Sequence, residues 1–144
     1  MAATCVRIEH PPERVFAVLS DPWRFADWVV GAKEIRAVDA DWPAVGSRFH
    51  HRFGAGPFTI DDSTVLEEID PPKRLVLRAR ARPTGVARVE LHLVPAGGGT
   101  EVHMEERPVS GFAKRVDNPG LSALIVARNR RSLRRLADLV DAAR

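Results

Sequence analysis

The C-terminal stretch Pro119–Arg144 reads PGLSALIVARNRRSLRRLADLVDAAR, and it constrains the fold more than any other part of the chain. No proline or glycine follows Gly120, and the strong helix formers Ala, Leu and Arg dominate. At about 100° per residue, Leu121, Leu124, Ile125, Leu133, Leu136, Leu139 and Val140 fall on one broad side. Arg130, Arg131, Arg134, Asp138 and Asp141 fall on the other. Asn118-Pro119 supplies a start signal, a capping residue followed by a first-turn proline. The helix should run for roughly 36 Å at ~1.5 Å per residue. Burying its apolar side is worth on the order of 10–20 kcal/mol as an upper bound. Such a helix needs a long apolar surface to lie on. Arg128, Asn129 and Ser132 interrupt that side with polar groups.

The rest of the chain reads as the sheet that provides the surface. Thr4–Glu9 alternates as a short strand, and His10-Pro11-Pro12 ends it. A helix follows over Glu13–Leu19, then Ser20-Asp21-Pro22 caps a second short one over Trp23–Trp28, closed by Gly31. Six strand signals come next: Glu34–Asp41, Ser47–Phe53, Phe58–Ile69, Arg74–Arg82, Val86–Val94 and Thr100–Glu106. The third slips in alternation around Asp61-Asp62, which predicts a bulge there. Pro108–Asn118 reads as a loop. Turns at hairpin spacing predict an α+β fold: a curved antiparallel β-sheet wrapped around the long C-terminal helix, with two short helices after the first strand. A sheet that curves around a helix can leave a cavity between them.

The 144 residues suffice for a single domain spanning 1–144. No apolar run reaches the ~20 residues of a membrane span, no signal peptide stands out, and Cys5 is alone, so a cytoplasmic location is expected. The net charge of +3 points weakly to nucleic acid. The basic residues are almost all arginine, spread along the chain among 19 acids, and tyrosine is absent. No nucleic-acid partner is therefore expected, and the Arg128–Arg135 cluster reads as a solvated helix face. Gly97-Gly98-Gly99-Thr100 lacks the lysine of a phosphate loop and reads as a hairpin turn, and nothing else calls for a cofactor. His50, His92 and His103 fall on outward positions without ligand spacing, so no metal is expected. An exposed edge strand offers a route to a homodimer.

Five segments carry a resemblance that spans nearly the whole chain: VFAVLSDPWRFADWVVG, WPAVGSRFHHRFGAGP, DPPKRLVLRARARP, GGGTEVHMEE and RNRRSLRRLADL. In this order they resemble the START-like superfamily, also called SRPBCC, whose helix-grip fold serves polyketide cyclases, lipid-transfer domains and plant pollen allergens. The similarity is closest to small bacterial polyketide cyclase/dehydrase-like proteins. It implies a hydrophobic or aromatic small molecule, lipid- or polyketide-like, in a cavity under the long helix.

Alternation then selects the polar side chains that face inward. His51 shares a face with Phe49 and Phe53, and Glu106 shares one with Val102 and Met104. Two carriers of function follow. In one, Trp28, Phe49, Phe53, Leu77, Leu91, Met104 and Ile125 form an apolar binding site, with Arg128, Asn129 and Ser132 as its polar members. In the other, His51 and Glu106 are an acid/base pair that removes a proton next to a carbonyl, as a cyclase must. Taken singly, His51 is an ordinary hydrogen-bonded core histidine, and Glu106 ties sheet to helix through Arg128 or Asn129. Asp61 and Asp62 are adjacent, so they read as a solvated pair. Trp23, Phe25 and Trp28 are expected to close the cavity mouth or fill its end.

Overall fold

The computed structural model describes residues 2–81, 85–111 and 119–143. β1 (Ala2–Ile8) leads into α1 (Pro12–Leu19), a 3-10 turn (Pro22–Arg24) and α2 (Phe25–Trp28). Six strands follow: β2 (Ala32–Val38), β3 (Arg48–Ala55), β4 (Phe58–Asp70), β5 (Arg74–Ala81), β6 (Gly85–Ala96) and β7 (Gly99–Ser110). The long α3 (Pro119–Ala142) ends the fold. The strands form one antiparallel sheet in the order β1-β7-β6-β5-β4-β3-β2. This is the α+β architecture expected from the strand and helix periods, in the helix-grip form that the family resemblance implies.

Local chemistry sets the element ends. Pro12 opens α1, where its missing N–H costs nothing. Asp21 Oδ1 accepts a hydrogen bond from Trp23 N at 3.0 Å and so caps the 3-10 turn. The C-terminal carbonyls of α3 are met by Arg14, whose Nη2 donates to Val140 O at 3.2 Å and to Ala143 O. The cation also suits the negative end of the helix.

Two sequence expectations shift. The bulge lies not at Asp61-Asp62 but between Leu66 and Glu68, where β4 pairs with β5. Asp61 and Asp62 pair in regular register with Arg52 and His51. β7 also runs past Glu106 into the expected loop, because Pro108 and Ser110 pair with Ala87 and Val86 of an equally long β6. Pro108 sits at the register irregularity between Val86 and Ala87, where a missing N–H is tolerated. Asn118, expected to cap α3, lies outside the described residues.

α3 rests on β1 and β7 at one side and on α1 and α2 at the other, so it bridges the sheet. Its C-terminal half is packed solid, with Leu133, Leu136 and Val140 at 0% exposure among Ile8, Leu93 and Val102. The N-terminal half behaves differently. Leu124, expected on the buried side, is 70% exposed. Leu121 and Ile125 overhang a space instead of packing onto the sheet. Among the described residues no helix is long and apolar enough to cross a membrane.

Candidate functional site: an apolar cavity beneath the C-terminal helix

The space under α3 is a cavity of about 310 Å³. It exists because side chains along β5 and β6 shrink towards one end of the sheet. Leu75 and Leu91 pair where the core is solid, then Leu77 with Val89, then Ala79 with Ala87. Cross-strand partners face the same side, so this series is a taper. The alanines leave room that no helix side chain fills. Gly85 extends the taper: a Cβ there would stand 2.1 Å from Ser110 O, so glycine lets β6 and β7 approach at the cavity end. The same position has φ +120, which suits glycine alone.

The apolar wall holds most of the residues expected from the sequence. Trp28, Phe53, Leu77, Leu91, Met104 and Ile125 all line it. Trp28 is 1% exposed and stands edge-on to Phe25 at 5.7 Å between ring centroids. Its Nε1 has no hydrogen-bond partner among the described residues. Phe25, expected at the cavity's mouth or end, also lines the wall, as do Ala79, Val86, Ala87 and Leu121, which were not expected there. The sequence does carry a signal for the alanines, since they stand at inward positions of two clean strands.

One polar cluster breaks the apolar wall, and it is made of Glu106, Arg128 and Asn129. Arg128 Nη2 donates to Glu106 Oε1 at 2.6 Å and to Oε2 at 2.7 Å. Asn129 Nδ2 donates to Glu106 Oε1 at 3.3 Å, and Arg128 Nη2 donates to Asn129 Oδ1 at 3.3 Å. Sheet and helix are thus tied at the cavity wall, with Glu106 buried and Glu105 exposed on the opposite face. The carboxylate is compensated in place, which is what burial requires of it. Arg128 keeps 42% of its side chain exposed, so the pair is worth less than a fully buried one. Replacing Arg128 with alanine should cost about 1–3 kcal/mol, read as a lower denaturant midpoint, because Glu106 stays buried with Asn129 as its remaining donor.

Three expected site residues are placed elsewhere. His51 is fully buried, but its Nε2 lies 2.9 Å from Thr64 Oγ1 and its ring meets Phe53 edge-on at 4.5 Å. It does not line the cavity, and β4, β5 and β6 separate its strand from that of Glu106. Phe49 is spent on Phe25 and Trp42, at 4.7 and 5.4 Å, and does not reach the wall. Ser132 Oγ accepts from Val30 N at 3.0 Å, which fixes the chain after α2 against α3. Burial holds the His51 ring neutral, with its pKa lowered from 6.5 to about 4.

The expected solvated Asp61–Asp62 pair also divides. Asp61 is exposed beside Arg52 Nε at 2.9 Å, and that hydrogen bond holds its carboxyl below the usual range. Asp62 is buried, accepting from Arg80 Nε at 2.6 Å and from Ser63 N at 2.9 Å, which makes its burial tolerable. Trp23 is 59% exposed and takes no part in the wall.

Known structures share this architecture. Over 97% of this chain and 91% of the other, the fold is similar to that of a Rhodobacter sphaeroides protein, at 20% identity and a TM-score of 0.75. Ara h 8.0201 is similar over 98% of this chain and 97% of its own, at 11% identity and a TM-score of 0.74. DynU16, a putative protein in the dynemicin biosynthetic locus, is similar at 19% identity and a TM-score of 0.71, over 98% of this chain but 47% of its own. At these identities the likeness is one of fold. No curated protein matches the chain by sequence. The family described as "Polyketide cyclase / dehydrase and lipid transport" matches residues 2–141, nearly the whole length. The chain therefore belongs to the polyketide cyclase/dehydrase and lipid transport family.

Proposed function

We propose that the chain binds a small, mainly apolar molecule in the cavity beneath α3, with Glu106, Arg128 and Asn129 at its polar end. The observation that carries this reading is the cavity itself: about 310 Å³ of apolar space in an otherwise close-packed core. That is the lower end of the range for small-molecule sites, so the ligand is compact. Its wall favours rings and hydrocarbon. Glu106 is already matched by Arg128, so the polar end carries no net charge. A hydroxyl or carbonyl group suits it better than a charged head, whose desolvation would go uncompensated. The family's description, which names polyketide cyclases, dehydrases and lipid transport, is consistent with such cargo.

The acid/base reading has less support. His51 is engaged with Thr64 and lies off the wall, so a substrate in the cavity would meet Glu106 without it.

A filling substitution tests the proposal. Ala79→Phe and Ala87→Phe each place a ring in the wide end of the taper, where the two alanines face each other. A fluorescent apolar probe should bind the native chain saturably at one site. Each variant should bind it at least about 10-fold more weakly, a loss of about 1.4 kcal/mol. Stability should hold or rise, because a void has been filled. Unchanged probe affinity in both folded variants would place binding elsewhere and sink the proposal.

A further inference from the structure

We infer that Cys5, Glu101 and His103 form a binding site for a zinc-class divalent metal ion on the outer face of the sheet. Cys5 and His103 are direct cross-strand partners between β1 and β7, and Glu101 stands two residues from His103 on the same face. Met104 and Glu106 of the same strand face the cavity, so this cluster lies on the far side of β7 from it.

The geometry is that of a site waiting to close. His103 Nε2 lies 3.9 Å from Cys5 Sγ and 3.6 Å from Glu101 Oε1. All three ligand atoms fall within 4.8 Å of one another. Bonds of about 2.0–2.3 Å at tetrahedral angles would bring each pair to roughly 3.3–3.7 Å. Side-chain rotations of about an ångström suffice, and the strand backbone need not move.

The donor set selects the metal. One thiolate, one imidazole and one carboxylate suit the borderline-soft Zn²⁺ ion, whereas Mg²⁺ and Ca²⁺ prefer oxygen alone. Three protein ligands leave a fourth position for water, and the cluster is open enough to admit both. Cys5 is exposed, and His103 and Glu101 keep 45% and 42% of their side chains accessible. The nearest polar neighbours have partners of their own. Arg7, across from Glu101, has its guanidinium held by Glu9 and by Gly97 O. His92, across from His103 on the other side, points its Nε2 at Glu90, 3.1 Å away. A bound ion would clip the edge strand β1 to β7.

Cobalt(II) substitution on the reduced full chain is the direct test. One equivalent of Co²⁺ should give a thiolate-to-cobalt charge-transfer band in the near ultraviolet, and Zn²⁺ should displace it. Zn²⁺ should also raise the melting temperature, since it binds the folded pairing of β1 with β7 and not the separated strands. Cys5→Ser should abolish the band. Cys5→Ser and His103→Ala should each weaken Zn²⁺ binding by at least about 10–100-fold, the loss that even an outer-shell partner causes. His92→Ala should leave affinity unchanged, and all three variants should keep apolar-probe binding in the cavity. Absence of the charge-transfer band at saturating Co²⁺ would overturn the assignment. So would equal weakening by His92→Ala and His103→Ala, which would mean that scattered histidines hold the metal.

Discussion

Truncating Trp28 to alanine is expected to destabilise the fold by about 3–5 kcal/mol, the cost of deleting a large buried aromatic. Trp28 is 1% exposed, ends the short α2 and makes part of the cavity wall. Removal strips Phe25 of one of its two edge-on partners and joins a new void to an existing one. The neighbourhood cannot collapse to repair this, because Val30 N is pinned to Ser132 Oγ and α3 is held at its far end by Arg14. For a chain of this length the loss should appear as a fall in melting temperature of roughly 10 °C or more. Trp28→Phe should cost clearly less: it keeps a ring against Phe25 and removes an indole N–H that has no partner among the described residues. A midpoint shift below about 1 kcal/mol for Trp28→Ala would mean that the indole is not part of the packed core. The functional readout moves the other way. The enlarged cavity should accept bulkier apolar probes than the native chain does.

The sheet and the long helix were legible because each imposes its own period on the sequence. Arg74–Arg82 and Val86–Val94 alternate cleanly, and the apolar residues of α3 recur at helical spacing. Alternation also identified Glu106 as an inward carboxylate, beside Arg128 and Asn129 on the apolar side of the helix. What it does not carry is distance. His51 and Glu106 both point inward, yet three strands lie between theirs. Position on a face says nothing about how far apart two points lie across a curved sheet. A cavity under the helix was expected, but what opens it was hidden for a related reason. Ala79 and Ala87 look like core residues by pattern, and their effect appears only when their cross-strand pairing places two small side chains opposite each other. Cys5 and His103 are 98 residues apart, and only the register of β1 against β7 brings them together. Leu124 failed in the opposite sense: at about 100° per residue it falls within about 20° of the exposed Arg131, at the solvent edge of the apolar side, and it is 70% exposed.

The stability of the chain should fall between pH 6.5 and pH 4 because of one residue, His51. Its pKa is lowered from 6.5 to about 4, first by burial and then by the repulsion of Arg36 and His50. The Asp62 carboxylate and the backbone of Ser63 favour the charged ring and offset burial only in part. Below pH 6.5 the unfolded chain therefore takes up a proton that the folded chain refuses until about pH 4. The unfolded state is favoured throughout that window, and at its lower end the accumulated loss is about 3 kcal/mol. This is a large part of the 5–15 kcal/mol that holds a typical domain together. His51→Gln removes the titration and keeps a group able to hydrogen-bond Thr64. Denaturant unfolding of both proteins from pH 7.5 to pH 4 should show the native chain losing about 3 kcal/mol more than the variant. His50→Gln is the control for the neighbouring imidazole: its side chain is 36% exposed, and the substitution should leave the pH dependence largely intact. Parallel curves for the native chain and His51→Gln would show that the folded state accepts the proton as readily as the unfolded one. His51 would then be solvated, against the sealed position that the fold gives it among Phe25, Phe49 and Phe53.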